Sequence, residues 1–496
     1  ANKKTYGRSS EKTDEQQLTF WSRLFNETET LREISDHINA EEESKKHAKK
    51  GPNKNHITKG AVAKESDVHH DLGEDEKTCA TCGESLRCIG EELAYVEMVY
   101  HPGYYEKINH FQKAYVCSNN CLELQEGPHG ETQVIKAQLP NKLLPKSSAS
   151  ASLLAKIIYD KYEKALPLYR QEQALERNGI TLSRQTMANW MIKLHDLYFD
   201  VFVEHMHKQL LKSEYLNVDE TTLEVLELLK TEGRQNCYMW LYKTGRSEDK
   251  QMAIYRFEND RKHERVKNYL NGYTNVVQSD GYAAYQNLEG VTNMGCFAHL
   301  RRGFVEAIEA APKGTDVKKS VTQRLVNLLD ELFRLEKVYI KKYKNDYDQI
   351  LKARLKDSLP IYNAFYEKVK EIYPYAVKKT HLYEALTYAI NNEKCLSYFL
   401  EDGRVELSNN VAERCIKDFV IGRSNFLFSN SVLGAQASGS AYSIVVSAKL
   451  NHLKPYDYIE YILNQIKLSG NKINEKISGR DFVFSKINFK SVSDEL

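Results

Sequence analysis

The segment Tyr215–Asp219 reads Tyr-Leu-Asn-Val-Asp, and the segment Thr274–Asp280 reads Thr-Asn-Val-Val-Gln-Ser-Asp, so an aspartate ends each of two extended runs. A third acid, Glu413, lies inside a helical pattern, Asn409–Arg414. Carboxylates on two strands and one helix can converge on a pair of hard cations, which bind oxygen ligands and leave positions for phosphate oxygens. A single acidic residue in such a position is usually an ordinary solvent-exposed carboxylate. The prediction of a metal-dependent nuclease-type site therefore depends on where all three lie.

The elements around the two aspartates follow an order that predicts a fold. The patterns run as strands 215–219, 237–244 and 252–257, helix 263–270, a strand ending at 280, a helical piece 282–285, strand 291–296 and helix 298–310. This β-β-β-α-β-α-β order is that of the α/β ribonuclease H-like fold, with a mixed five-stranded sheet. In that fold the first and fourth strands are neighbours at the sheet centre, where Asp219 and Asp280 would lie side by side.

A helical insertion over residues 316–400 is predicted between Asp280 and Glu413. Its apolar stripe consists of Leu325, Leu328, Leu329, Leu332 and Leu335. After it, a helix from Ser408 places four side chains on one polar face, namely Asn409, Asn410, Glu413 and Lys417. A glutamate four residues before a lysine is often only a surface pair. The two asparagines one turn earlier favour a helix that delivers Glu413 to the aspartates.

Four of the nine cysteines form two close pairs with the patterns C-x2-C and C-x3-C, separated by residues 83–116. They are Cys79, Cys82, Cys117 and Cys121. Four thiolates in two pairs suit one tetrahedral structural Zn2+ site, and Gly83 suits the tight turn of a zinc knuckle. The alternative is four unliganded cysteines, and Cys88, His101 and His110 are nearby substitutes. Alternation over residues 93–100 and 111–116 predicts strands between the pairs.

Residues 150–195 predict a helix-turn-helix. Ser150 caps a first helix, Pro167 opens a second that stops at Asn178-Gly179, and Ser183 caps a third. The third helix would present Arg184, Gln185, Thr186 and Asn189 to a DNA groove, with Met187 and Trp190 turned inward. The rival interpretation is an ordinary helical packing module.

The N-terminal residues predict an amphipathic helix within 15–40, followed by a polar stretch. That stretch carries Lys45, Lys46, Lys49 and Lys50, which fit either a solvated linker or an arm on the DNA backbone.

Of the 496 residues, 41% are hydrophobic and 28% are charged, as in soluble globular proteins. The sequence shows neither an apolar run long enough to span a membrane nor the apolar core of a signal peptide. The cysteines are spaced unlike a secreted disulfide framework, so the expected location is a reducing compartment, the cytoplasm.

Several motifs in order resemble the DDE transposases of the insertion sequence 66 family, specifically their large transposase subunit. These motifs are Asn217–Thr221, Ser279–Tyr282, Gly295–Arg302, Asn409–Arg414 and Gly422–Phe428. Three positions depart from the family pattern. The second cysteine pair has three intervening residues instead of two, Ser408 stands where an aspartate is common, and Gly303 stands where a basic residue is usual. None of these departures involves the three acids.

The resemblance implies that Asp219, Asp280 and Glu413 are the catalytic triad and that the four cysteines are zinc ligands. Two Mg2+ (or Mn2+) ions would be held, with Asp219 shared and one remaining acid on each ion. The implied activity is binding of inverted-repeat DNA ends, strand cleavage and strand transfer. Candidate supporting residues are Cys296, His299, Arg302 and Asn410, and Arg423 is a further candidate DNA contact.

Implied partners are double-stranded DNA of the element ends and target, a second copy of the chain or more, and companion proteins of the same element. The alternatives are a nuclease or domesticated recombinase without strand transfer, and a non-catalytic zinc-containing DNA-binding regulator.

The predicted domains are an N-terminal helical segment (1–44), a basic linker (45–72), a zinc-binding domain (73–130), a helix-turn-helix domain (131–205), a first catalytic part (206–312), a helical insertion (313–402), a second catalytic part (403–450) and a C-terminal helical segment with tail (451–496).

Overall fold

Two sheets lie within the part of the chain that the computed structural model describes, which comprises residues 64–101, 103–117, 134–312 and 317–471. These residues belong to one of the two units into which the chain divides, Ile57–Leu496. The predicted N-terminal helix, the lysines Lys45, Lys46, Lys49 and Lys50, and Cys121 lie outside the described residues, as does the side chain of Cys117. No helix among the described residues is both long enough and apolar enough to cross a membrane.

The N-terminal sheet has the strand order β1-β3-β2, with β4 pairing β3. Its strands are β1 Lys64–His70, β2 Leu86–His101, β3 Tyr104–Cys117 and β4 Ile135–Lys136. The two alternating stretches predicted as strands are confirmed as parts of β2 and β3, which pair antiparallel.

Strand β1 corrects the prediction that residues 45–72 are a linker throughout. Its sequence, Lys-Glu-Ser-Asp-Val-His-His, lacks apolar alternation, so the pattern did not indicate a strand. Main-chain pairing parallel to β3 forms it instead. Glu65 adds cross-strand contacts, because its Oε1 accepts hydrogen bonds of 2.7 Å from Lys107 Nζ and from Asn109 Nδ2.

Four helices follow, in the order α1 Ala151–Tyr162, α2 Leu168–Arg177, α3 Arg184–Leu194 and α4 Asp200–Leu210. Both predicted serine caps are confirmed, since Ser150 accepts from the Leu153 N–H and Ser183 from the Thr186 N–H. Gly179 has φ +77° in the turn between α2 and α3, a backbone conformation that favours glycine. The apolar sides of these helices pack into the larger of the two main cores.

The central sheet has the strand order β7-β6-β5-β8-β9. Its strands are β5 Tyr215–Val225, β6 Cys237–Thr244, β7 Ala253–Glu258, β8 Val276–Gln278 and β9 Thr292–Met294. Strands β5, β6 and β7 pair antiparallel, whereas β5, β8 and β9 pair parallel. The connecting helices are α5 Leu226–Glu232, α6 His263–Tyr269 and α7 Phe297–Glu309. The mixed sheet and its order of elements therefore agree with the predicted α/β class.

The helical insertion is present between α7 and the last part of the sheet domain. Its helices are α8 Val321–Tyr343, α9 Tyr347–Ala353, α10 Leu359–Ile372, α11 His381–Asn391 and α12 Glu393–Ser397. Of the predicted stripe on α8, Leu325, Leu329 and Leu332 are buried in a second core. Arg354 is fully buried, pairs with Glu336 at 2.6 Å, and donates to the carbonyls of residues 399, 402 and 405. The insertion thereby holds the segment that leads back to the sheet.

Three helices complete the described chain: α13 Asn410–Phe426, α14 Val432–Leu450 and α15 Pro455–Leu468. The short strand β10, Phe428–Ser429, pairs parallel with the end of β5 and is a sixth strand beyond the five predicted. Helix α14 covers the edge strand β7, where the Ser443 and Ser447 hydroxyls accept hydrogen bonds from the Tyr255 and Ala253 N–H groups. These bonds satisfy donors that an uncovered sheet edge would leave to solvent or to another chain.

Candidate active site

Asp219 lies within β5 and not at its end. The prediction that the strand stops at Asp219 is wrong, because β5 continues to Val225 and pairs with β6 as far as Leu223. The polar residues after Asp219 weaken the sequence pattern, but the antiparallel partner extends the strand. The Asp219 Oδ1 accepts a hydrogen bond of 2.9 Å from the Glu220 N–H.

Asp280 follows the neighbouring strand β8, which ends two residues earlier at Gln278. Its Oδ1 accepts from the Tyr282 N–H at 2.9 Å, and its carbonyl accepts from the Tyr388 hydroxyl at 2.6 Å. Gly281 has φ +90°, and a Cβ there would lie 3.1 Å from the Tyr388 hydroxyl. This turn needs glycine for both reasons. Helix α11 of the insertion thus fixes the backbone that carries Asp280.

A buried amide network connects the two aspartate strands to the start of α13. Asn217 Nδ2 on β5 donates to Gln278 Oε1 on β8 at 2.7 Å and to Asn409 Oδ1 at 3.1 Å. Asn409 Nδ2 donates to the Val218 carbonyl at 2.7 Å. Asn409, predicted on the polar face of the helix, is only 1% exposed, whereas Asn410 is exposed. The network holds α13, and with it Glu413, against the strand of Asp219.

The three acids interact electrostatically. Burial raises the pKa of Asp219 to about 8, and the charges of Glu220, Asp280 and Glu413 contribute to the increase. A carboxylate placed among other carboxylates in a partly buried site is destabilised as an anion unless cations are near. The charges of Asp280 and Glu413 therefore lie within interaction range of Asp219.

Helix α7 brings three of the candidate supporting residues to Glu413. Ligand atoms of Cys296, His299 and Glu413 all lie within 4.8 Å of one another. His299 Nδ1 is 3.7 Å from Glu413 Oε1, and Arg302 Nη2 is 3.5 Å from Glu413 Oε2. Burial lowers the pKa of His299, while the nearby charges of Asp280 and Glu413 oppose that change. Burial raises the pKa of the Cys296 thiol to about 11.

Glu220 is a buried acid at this site that the sequence interpretation missed. Its side chain is 2% exposed, and its Oε1 accepts from Arg261 Nε at 2.5 Å, while Tyr285 donates to its other oxygen. Arg261 stacks over the Tyr282 ring at 3.5 Å from the ring centre. An acid directly after Asp219 was the available signal. Its partners come from residues 261 and 285, which no local pattern connects to it.

The chain resembles known proteins over most of its length. The family model "Transposase IS66 family" matches residues 146–437, which include all three acids. The chain belongs to the IS66 transposase family. Two relatives are uncharacterized proteins of Sinorhizobium fredii (strain NBRC 101917 / NGR234). Protein y4qI is 30% identical over 353 residues, covering 68% of this chain and 63% of that protein. Protein y4jD is 26% identical over 423 residues, covering 81% of this chain and 77% of that protein.

The matched region thus spans 63% of the length of y4qI, less than two thirds. Among solved structures, one titled "Drosophila P element transposase strand transfer complex" gives a TM-score of 0.34 at 13% identity. The match covers 60% of this chain and 91% of the chain in that structure. A TM-score of this size does not establish a shared fold.

Within the IS66 family match, α3 presents the predicted DNA-facing residues. Gln185 and Asn189 are exposed, Arg184 and Thr186 are half-buried, and Trp190 and Met187 point into the core. Arg184 also contacts Glu172, since its backbone N–H donates to Glu172 Oε1 at 2.9 Å. These side-chain orientations on α3 are compatible with a DNA-binding surface.

Arg423, predicted as a DNA contact of this IS66-family chain, lies against β5 in the structure. Its Nη1 donates to Thr221 Oγ1 at 3.0 Å and to Thr222 Oγ1 at 2.8 Å, and also contacts the Thr222 carbonyl. These contacts join the end of α13 to the strand just beyond Asp219. Arg423 thus connects the helix of Glu413 to the strand of Asp219.

The first cysteine pair lies outside the family match and forms a tight turn. The Gly83 N–H donates to the Cys79 carbonyl at 2.9 Å, the Cys79 N–H donates to the Glu84 carbonyl at 2.8 Å, and Gly83 has φ +73°. The backbone of Cys117 ends β3 opposite Leu86, close to this turn. The described backbone is compatible with a zinc knuckle.

Proposed function

We propose that this protein is a DNA transposase that cuts DNA at the ends of a mobile element and joins the cut strand to target DNA by a DDE mechanism. One observation carries the proposal: Asp219 on β5 and Asp280 after β8 belong to neighbouring parallel strands, and buried side-chain amides join the start of the Glu413 helix to β5. Membership of the IS66 transposase family supports it.

The sheet supports a ribonuclease H-like catalytic domain. Strand β5 is central, with antiparallel neighbours on one side and the parallel strand β8 on the other. The register pairs Asn217 with Gln278, so Asp219, two residues further along β5, and Asp280, two residues after the end of β8, lie at the same level along the two strands. This arrangement is the one that the order of sequence elements predicts.

We propose that the three acids hold a pair of divalent cations. Glu413 Oε1 and His299 Nδ1 are buried without hydrogen-bond partners among the described residues, as expected for atoms that face a ligand. We propose that Asp219 contributes to both metal positions, Asp280 to one and Glu413 to the other. Two bound Mg2+ or Mn2+ ions would supply an activated water nucleophile and charge stabilisation of the departing 3′ oxygen.

The chain's own groups hold the substrate in this proposal. Arg302 is half-exposed beside Glu413 and can contact a DNA phosphate, while the amide network keeps the three acids in register. Water first cuts the phosphodiester to release a 3′ hydroxyl. That hydroxyl then attacks a target phosphodiester in line and displaces the 3′ oxygen of the target strand. One phosphodiester bond replaces another, so the step needs neither a covalent enzyme intermediate nor ATP.

We propose that DNA binding belongs mainly to other surfaces. Gln185 and Asn189 on α3, with Arg184 and Thr186, would contact the element ends. The cysteines Cys79, Cys82, Cys117 and Cys121 would hold one structural Zn2+, and Lys45, Lys46, Lys49 and Lys50 would contact phosphates. A homodimer or larger assembly on DNA, companion proteins and a place near the bacterial nucleoid belong to the same proposal.

An end-cleavage assay with purified full-length protein tests the mechanism. The substrate is DNA carrying the ends of the element, in Mg2+ with a second DNA as target. The variant Asp280→Asn keeps the side-chain size and removes the charge, so it should abolish cleavage and joining while retaining end binding. The control Glu289→Gln changes an exposed acid of the same region and should retain activity.

Cleavage by Asp280→Asn at the wild-type rate would refute the assignment of the site. Cleavage without joining by the wild-type protein would favour a nuclease or domesticated recombinase. DNA binding with neither reaction in any divalent metal would favour a non-catalytic regulator.

A further inference from the structure

His299 lies in the first turn of α7 with its imidazole beside Glu413. His299 Nδ1 is 3.7 Å from Glu413 Oε1, which is longer than the ~2.7–3.2 Å of a hydrogen bond. Both atoms are buried, and neither has a hydrogen-bond partner among the described residues. Two buried polar atoms that face each other at this distance leave their hydrogen-bonding capacity unused, which costs free energy unless a ligand lies between them.

The distance fits two donors to one cation. Nitrogen and oxygen ligands each lie about 2.1 Å from a bound transition-metal ion, so neighbouring ligands of the same ion are roughly 3.0–3.4 Å apart in octahedral or tetrahedral coordination. The 3.7 Å between His299 Nδ1 and Glu413 Oε1 exceeds this by a few tenths of an ångström, which a small side-chain rotation closes. The other oxygen of Glu413 is engaged separately, because Arg302 Nη2 lies 3.5 Å from Oε2. Oε1 is therefore the oxygen that faces His299.

Cys296 completes the cluster but has another role. Its side chain is fully buried, and its Sγ accepts a hydrogen bond of 3.2 Å from the Asn409 N–H. The thiol thereby joins the start of α7 to the start of α13. This contact sets the positions of His299 and Glu413 relative to each other, and it uses the sulfur as a structural acceptor.

We propose that His299 is a fourth protein ligand of the metal centre, on the same cation as Glu413, and that it biases this position towards Mn2+ over Mg2+. The inference rests on the proposed function of Asp219, Asp280 and Glu413. Mg2+ strongly prefers oxygen ligands, whereas imidazole nitrogen is a good ligand for transition metals. Replacing one oxygen ligand by nitrogen therefore changes which metal the site favours.

Electron paramagnetic resonance of Mn2+ bound to the untagged full-length protein tests this directly, without an activity assay. A coordinated imidazole gives echo modulation from its nitrogen nucleus, and the same sample reports the number and affinity of bound ions. The variant His299→Gln should lose this modulation and bind Mn2+ roughly tenfold more weakly. Its affinity for Mg2+, measured by competition, should change far less.

His381→Gln is the matched control, because His381 is exposed at the start of α11. It should retain both the nitrogen modulation and the Mn2+ affinity of the wild-type protein. Circular dichroism of both variants shows whether either substitution disturbs the fold. Undiminished nitrogen modulation in folded His299→Gln would overturn the inference.

The outcomes separate this inference from the proposed function. Wild-type protein that binds Mn2+ without nitrogen modulation, and loses the ion in Asp219→Asn, would refute the role of His299 and leave the three-acid site intact. Wild-type protein that binds no Mn2+ would refute both. Zn2+ bound tightly through the Cys296 thiol in place of Mn2+ would also overturn the inference, because the cluster would then be a separate thiolate site.

Discussion

Replacing Asn409 by alanine should destabilise the protein and misplace Glu413, although Asn409 is not one of the acids. The Asn409 side chain donates to the Val218 carbonyl at 2.7 Å and accepts from Asn217 Nδ2 at 3.1 Å. Both bonds are buried and cross from the start of α13 to β5. Their loss leaves the Val218 carbonyl without this donor and releases the start of α13 from the strand of Asp219, while the Arg423 contacts near the other end of α13 remain.

The expected cost follows from these two bonds. Each contributes about 1 kcal/mol net, and a buried group left without its partner adds roughly another 1 kcal/mol or more. The free energy of unfolding should therefore fall by about 3 kcal/mol, which corresponds to a Tm lower by roughly 5 °C in a domain of this size. DNA cleavage should fall further than DNA binding, because Glu413 depends on the contact and the surface of α3 does not.

The matched control is Asn410→Ala, one residue later on the same helix. Asn410 is exposed, so its replacement should change stability by less than about 0.5 kcal/mol. Thermal unfolding and end cleavage of the two variants and the wild-type protein, measured side by side, provide the test. Equal effects of the two substitutions, or a stable and active Asn409→Ala protein, would refute the role of the amide network.

Three further perturbations have defined outcomes. Gly281→Ala should lower the free energy of unfolding by about 1–2 kcal/mol, because alanine disfavours the positive φ at this position, and it should reduce DNA cleavage. Unfolding and end-cleavage measurements test this, and wild-type stability and cleavage would contradict the need for glycine in the turn. Arg354→Met should lower the free energy of unfolding by about 3–5 kcal/mol, because Glu336 loses its buried partner; urea unfolding measures this, and wild-type stability would contradict it. Cys79→Ser should remove one bound zinc per chain in elemental analysis, and equal zinc content in variant and wild type would exclude Cys79 as a ligand.

Local patterns predicted much of the fold correctly. The caps Ser150 and Ser183 were identifiable because a serine before a helical pattern can accept from the backbone of the first turn. Most strands of the central sheet and the leucine face of α8 were identifiable because apolar periodicity reflects which side of an element is buried. The inward direction of Met187 and Trp190 followed from the same periodicity.

The errors occurred where a distant segment decides the local structure. Strand β5 runs past Asp219 because β6 pairs with it, and polar β1 forms because β3 offers a partner. Asn409 is polar and lies before a helix, which is typical of a solvated cap. It is buried because Asn217 and Val218, nearly two hundred residues earlier, provide hydrogen-bond partners.

The amino-acid sequence by itself determined the kinds of elements, their order and the three acids that the family motifs carry. Those features depend on side-chain periodicity and on residue identity, which act over a few residues. Only the tertiary structure decided that the insertion supports the turn of Asp280 through Tyr388. Likewise, it decided that Cys296 joins α7 to α13 and that His299 faces Glu413. These are contacts between segments far apart in sequence, and they form only when burial and hydrogen bonding of the whole chain are satisfied together.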